Sequence, residues 1–180
     1  MARSTCKFAN QNIRMLKLTY AVSLIFFTSL SVKAQTADSL LKPSPVKTIS
    51  PQQYDALMKG EDLYGMSTVA DLNGYPSPDK ALKYKKELDL SPIQVAALTK
   101  MNIELKRKKI EMGNFIVTNE TKLDNLFKAK RINEGDLIFY TNRYGLYQGE
   151  LRNAILRAAV KTWQLLSPGQ LIKLQAFKKS

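Results

Sequence analysis

The sequence predicts an all-α protein: one long antiparallel helical hairpin with short flanking helices. Three observations carry that expectation. Two long runs place apolar side chains at steps of three, four or seven, the period of a helix rather than a strand. One short signal occurs at the outer end of each run, as Leu90-Ser91-Pro92-Ile93-Gln94 and Leu166-Ser167-Pro168-Gly169-Gln170. Between the runs lies a turn-forming stretch, Ile132-Asn133-Glu134-Gly135-Asp136.

Each copy of the signal reads as a helix start. Serine is the N-cap, and proline takes the first helical position, where its missing N–H costs nothing. Glutamine three residues on closes a capping box. A weaker third copy, Ile49-Ser50-Pro51-Gln52-Gln53, lies upstream. A single copy is only a good cap. Two copies bracketing a hairpin say more.

The chain of 180 residues carries +13. Residues 1–34 contain Arg3, Lys7, Arg14, Lys17 and Lys33 and no acid, and the run from Leu18 to Val32 is mainly apolar. That pattern is a secretory signal peptide with cleavage after Ala34. The apolar run is too short for the roughly 20 residues a membrane span needs. Five of the 28 basic residues and none of the 15 acids lie in 1–34, so 35–180 carries +8. Cys6, the one cysteine, lies in 1–34, and histidine is absent. The exported chain is therefore without disulfide, thiol or imidazole, and holds together by helix packing and association.

Residues 35–48, with Pro43 and Pro45, read as a flexible tether, and 49–180 as the helical domain. Ser50 caps a short helix to about Gly60, with Tyr54, Leu57 and Met58 on one side. Residues 61–74 are hard to place, apart from a short helix around Ser67–Leu72. Asn73-Gly74-Tyr75-Pro76-Ser77-Pro78 is a turn cluster, and Ser77 caps a helix from Pro78 to about Glu87. The first hairpin helix then runs from about Pro92 to Arg131, roughly 58 Å. Its main face is Leu98, Met101, Leu105, Met112, Ile116, Leu123 and Phe127, with Gly113 as the weak point. The second runs to about Leu165 with Leu137, Tyr140, Tyr144, Tyr147, Leu151, Ile155, Ala158 and Leu165. Matching stripes and a short connection predict antiparallel packing. Ser167–Ser180 reads as a last amphipathic helix with Leu171, Leu174 and Phe177 on its buried edge.

Each long helix has a second apolar stripe, more than 90° from the first. On one it is Ile103, Ile110 and Val117; on the other, Ile138, Gly145, Gly149, Leu156, Val160 and Trp163. One hairpin cannot bury both faces of both helices. Either the short helices cover the surplus, or it is an interface for a second subunit or a client chain. Gly145 and Gly149 would admit another backbone. The nearby charges are mostly positive: Lys106-Arg107-Lys108-Lys109, then Lys128, Lys130 and Arg131, then Arg143, Arg152, Arg157 and Lys161. They read either as a solvated face with support such as Glu104 to Lys108, or as a field that draws in acidic partners.

No acid spacing suggests catalysis, and there is no phosphate-cradling or dinucleotide glycine loop. A non-enzymatic protein is expected, with no cofactor and no metal. Met101 and Met112 fall on the core stripe, where packing explains them better than copper(I) ligation. Nucleic acid is not an expected partner for an exported chain.

The bracketing motifs, the basic hairpin between them and the leader together resemble the Spy/CpxP family of periplasmic proteins. Members carry two L-T-x-x-Q motifs; here serine replaces threonine in both copies. The likeness covers about 83–180. The segment from Gly65-Met66 to Asn73-Gly74-Tyr75-Pro76 also looks like the lead-in of periplasmic heavy-metal sensor sequences. The resemblance implies an all-helical, cradle-shaped antiparallel homodimer whose concave face holds unfolded proteins without ATP. It implies that Leu90, Ser91, Gln94, Leu166, Ser167 and Gln170 serve fold and dimer geometry. Absent histidine and exported cysteine put any carried-over metal sensing in doubt.

The expected function is thus a periplasmic holdase-type chaperone or envelope-stress accessory protein that binds non-native polypeptides. The expected capture charges are Lys106, Arg107, Lys109, Arg152 and Arg157. The expected apolar contacts are Ile103, Ile110, Val117, Leu156 and Trp163. The rival expectation is a periplasmic metal-sensing protein, or a signalling adaptor that binds the periplasmic domain of a sensor kinase.

Overall fold

Helix starts are decided by local chemistry, and the three serine boxes all close. The computed structural model describes residues 41–177, so the leader expected over 1–34 lies outside the described residues. Within them six helices follow in order: α1 (Pro51–Lys59), α2 (Thr68–Leu72), α3 (Pro78–Lys83), α4 (Pro92–Lys128), α5 (Glu134–Leu165) and α6 (Pro168–Ala176). No strand occurs among the described residues, and the fold is all-α. Ser50, Ser91 and Ser167 each accept from the backbone N–H of Gln53, Gln94 and Gln170, whose side chains accept in return from the serine N–H.

The long helices α4 and α5 pack against each other along the hairpin. Their 37 and 32 residues correspond to about 55 and 48 Å. Two apolar clusters hold the shorter elements to them. The first, at mid-hairpin, gathers Val46, Ile49, Leu57, Met112, Ile116, Val117, Leu151 and Ile155. The second, at the closed end, joins Ala81, Leu88, Leu98, Leu166 and Leu174 from α3, α4 and α6 and the turns beside them. Toward the hairpin tip the main faces have no such cover: Phe127, Leu137 and Tyr144, expected to be internal, are exposed.

The closed end is tied by the two capping glutamines. Gln94 Nε2 donates to Gln170 Oε1 at 2.9 Å and to the Leu165 carbonyl at 3.0 Å. Gln170 Nε2 donates to Gln94 Oε1 at 3.1 Å and to the Leu88 carbonyl at 3.2 Å. Each Oε1 also accepts from its own serine N–H. Both amides thus make two donor and two acceptor bonds. Leu165 is the last residue of α5, so its carbonyl is one that the helix leaves without a partner. Leu166 is buried and Leu90 half-buried beside this clasp. The motif residues therefore join α4, α5 and α6 within one chain.

At mid-hairpin the fit is backbone on backbone. A Cβ added at Gly113 would lie 2.4 Å from the Leu57 carbonyl oxygen, so the missing side chain lets α1 sit directly on α4. Gly60 ends α1 at φ 68°, the left-handed region that glycine enters at little cost. Asn119, buried in α4, donates to the Tyr140 carbonyl of α5 at 3.0 Å and ties the helices nearer the tip.

Four expected boundaries move. The described part of the segment expected as a tether, 41–48, is anchored: Val46 is 1% exposed, and the compact unit opens at Lys42. Helix α3 stops at Lys83 instead of about Glu87. From Tyr84 the chain turns, with Asp89 at φ 48°; this seats Leu88 in the second cluster and Tyr84 on Phe177, centroids 4.8 Å apart. Helix α4 stops at Lys128, not Arg131, because Lys130 turns left-handed and the Arg131 N–H folds back to the Leu126 carbonyl at 3.0 Å. Helix α6 ends at Ala176, and 178–180 lie outside the described residues.

Two predictions follow from this packing. Gln94→Ala and Gln170→Ala should each cost about 1–3 kcal/mol, because each strands half-buried amide and carbonyl partners. The double variant should cost less than the sum, since the pair shares its bonds. Urea unfolding followed by circular dichroism measures both; strict additivity would refute the clasp. In the same assay Gly113→Ala should destabilise by about 1–3 kcal/mol. Gly145→Ala, whose added Cβ meets nothing within 4 Å, should stabilise by about 0.5–1 kcal/mol.

Candidate functional site

The short helices cover one side of the hairpin unevenly, and this decides the fate of the second apolar stripe. Val117 is buried in the first cluster, against the expectation that it meets a client; α1 and Val46 seal it from solvent. Ile110 is half-buried, 3.2 Å from where a Gly60 Cβ would stand, and Lys109 lies against the same glycine. Leu156 is half-buried. Trp163 remains 41% exposed with Tyr75 tilted beside it, centroids 5.3 Å apart. Ile103 is fully offered, at 63%. Lys106, Arg107, Arg152 and Arg157 are exposed and make no ion pair among the described residues. Lys108 reaches Glu111 at 3.7 Å rather than the expected Glu104.

These residues do not form one patch. Arg152 and Arg157 are five residues apart on α5, which turns them about 140° from each other. Arg157 opens into a groove along the α4–α5 seam, with Glu104, Lys108, Glu150 and Lys161 at its edges and Met101, Leu105 and Ala158 in it. A second hollow, sharing Met101, Glu104 and Lys161, continues that seam toward Lys100 and Leu165. No residue of α1, α2 or α3 lines either one. Ile103, Lys106 and Arg107 sit apart from both on the outer surface of α4, since their helical positions point away from the seam.

Arg152 opens into a different groove of about 680 Å³, between the segment after α1 and one side of α5. Its walls include Tyr64, Met66, Val69 and Leu72, and on α5 it reaches Gln148 and Gly149. The wall is built by Asp62, whose carboxylate accepts from the N–H groups of Met66 and Ser67, both at 2.9 Å. That clamp, with Gly65 left-handed at φ 62°, starts α2 where Ser67 itself makes no side-chain cap. Partial burial of the Tyr64 ring, then Tyr144 nearby, push its phenol above the ordinary value; a hydrogen bond from Gln53 opposes them.

Sequence reasoning did not select Tyr64, Val69 or Leu72. They are exposed, Leu72 at 75%, in the one segment whose pattern gave no period. Their signal is an excess of apolar residues in a stretch without a regular face. It also did not select Phe139, exposed near the tip under the Arg143 guanidinium at 4.4 Å, or Phe115, exposed against Tyr147 beside the mid-hairpin cluster. Among the described residues no three acidic side chains converge as metal ligands do, and no helix is long and apolar enough to cross a membrane. No family model matches the chain, and no characterised protein or solved structure is measurably similar to it. The class these observations define is an all-α hairpin domain with two open grooves, one mainly apolar with a single cation and one edged by charges of both signs.

The different exposure of two isoleucine- and valine-sized positions gives a direct check. Val117→Ser should cost about 2 kcal/mol or more, through lost burial and a buried hydroxyl. Ile103→Ser should stay within about 0.5 kcal/mol of the parent. Thermal or urea unfolding compares them, and equal costs would mean that α1 does not seal Val117.

Proposed function

We propose that the protein is a periplasmic, dimeric, ATP-independent holdase-type chaperone of the Spy/CpxP kind, which binds non-native polypeptides. The observation that carries this reading is the juxtaposition of unpaired cations with exposed apolar side chains. Arg152 stands beside Leu72 and Val69 in one groove, and Arg107 beside exposed Ile103 on α4. Positive charge speeds long-range encounter with a client. Small, separated apolar patches then hold the chain weakly enough to let it leave. The leader pattern over 1–34 and the paired serine-proline-glutamine motifs support the periplasmic assignment and the kinship.

The test is light scattering from an aggregating client, with the purified protein present and no nucleotide. Suppression at equimolar dimer is expected. Capture should slow as salt rises from ~0.05 to ~0.5 M, because the screening length shrinks several-fold. No suppression at equimolar dimer would overturn the reading. Calorimetry with zinc, nickel and copper(I) tests its rival: tight stoichiometric binding would speak for metal sensing instead.

A further inference from the structure

We infer that the groove between residues 64–72 and α5 is a docking site for an extended peptide that carries a carboxylate next to an apolar side chain. This rests on the chaperone reading and names the client chemistry of one face. The groove's volume of about 680 Å³ lies within the roughly 300–1,000 Å³ of ligand clefts. Its lining is mainly apolar, from Tyr64, Met66, Val69 and Leu72. Tyr64, Val69 and Leu72 are all exposed, so the apolar wall is built but uncovered.

The charge in the groove has one sign. Arg152 is its sole ionised lining residue. The guanidinium makes no ion pair or hydrogen bond among the described residues. It presents five donors in a fork that matches a carboxylate. The two carboxylate oxygens of Asp62 already accept from the N–H groups of Met66 and Ser67. The seam groove on the other side of α5 differs, since Glu104 and Glu150 mix with Lys108, Arg157 and Lys161 there. The complement of the Arg152 groove is therefore acidic and apolar together.

The floor admits a main chain. Gly149 reaches the groove, and an added Cβ there meets nothing within 4 Å. Glycine in an exposed helix interior costs about 0.5–1 kcal/mol relative to alanine, and no contact among the described residues requires it. An extended segment laid over Gly149 can approach α5 closely, with its apolar side chain against Val69 and Leu72 and its carboxylate on Arg152.

Fluorescence anisotropy with a fluorescein-labelled heptapeptide alternating leucine and aspartate tests this. The comparison peptides carry lysine for aspartate, or serine for leucine. The parent protein should bind the leucine–aspartate peptide roughly tenfold more tightly than either, the size of one charge pair or one buried apolar group. Arg152→Glu should reverse the preference between aspartate and lysine. Gly149→Leu fills open space and leaves the helix foldable; it should weaken the leucine–aspartate peptide roughly tenfold with unchanged circular dichroism. Unchanged peptide ranking in Arg152→Glu, or undiminished binding in Gly149→Leu, would overturn the inference. So would a parent protein that binds no peptide while Gly149→Leu abolishes a concentration-dependent dimer, for the groove would then belong to a second copy. Client aggregation still suppressed by the parent in either case would leave the chaperone reading standing and remove only this site. Loss of suppression in the parent itself would fall on the chaperone reading.

Discussion

Two primary amides hold the closed end of this molecule. Gln94 begins α4 and Gln170 begins α6, yet each spends its nitrogen on the other's oxygen and on a carbonyl across the junction, Leu165 for one and Leu88 for the other. A side chain that caps its own helix is common. Here the cap is also the joint, so starting a helix and orienting it against its neighbour are one event. The second cluster, with Leu88, Leu98, Leu166 and Leu174, packs around this joint. The antiparallel register of α4 and α5 is thereby held at one end by the amides, and nearer the tip by Asn119 on the Tyr140 carbonyl.

The rest of the architecture concerns apolar surface that the hairpin cannot hide alone. Val46, Ile49 and Leu57 bury part of it at mid-hairpin, which removes Val117 from any contact with a partner. They leave Ile103, further along the same face of α4, and Phe139 near the tip in solvent. The cover is thus partial and asymmetric. The side bearing the short helices gains a walled groove with a lone guanidinium, and the bare side keeps a seam with charges of both signs. The same hairpin can present two chemically distinct faces.

What could be read from residue order was the chemistry that acts over a few positions. Ser91, Pro92 and Gln94 specify a helix start by bonds made within one turn, and α4 begins there. The helical spacing of Leu98, Met112 and Ile116, and of Leu151 and Ile155, at steps of four or fourteen, reports one buried face on each helix, and those five are buried. Nothing local says that Val46, between prolines, is pulled into the core, or that Gly113 is a contact rather than a flaw in the helix. The groove was illegible for the same reason. Its wall depends on Asp62 reaching forward to two amides and on α1 lying flat on α4. The ten residues chosen as client contacts share helical stripes, but a stripe becomes a surface only after the short helices have chosen where to lie.

The tightest of the described glycine positions is Gly113, where α1 rests on α4 through the Leu57 carbonyl. The segment that walls the Arg152 groove is strung between α1 and α3, so α1 acts as its abutment. Local openings of a structure follow its cooperative units, and a small unit can lift while the remainder stays folded. A methyl group at position 113 would act as a wedge beneath that abutment and loosen the wall while the amide joint at the far end stayed shut. An alteration remote from the groove then disables it in a chain that has lost only about 1–3 kcal/mol and stays folded.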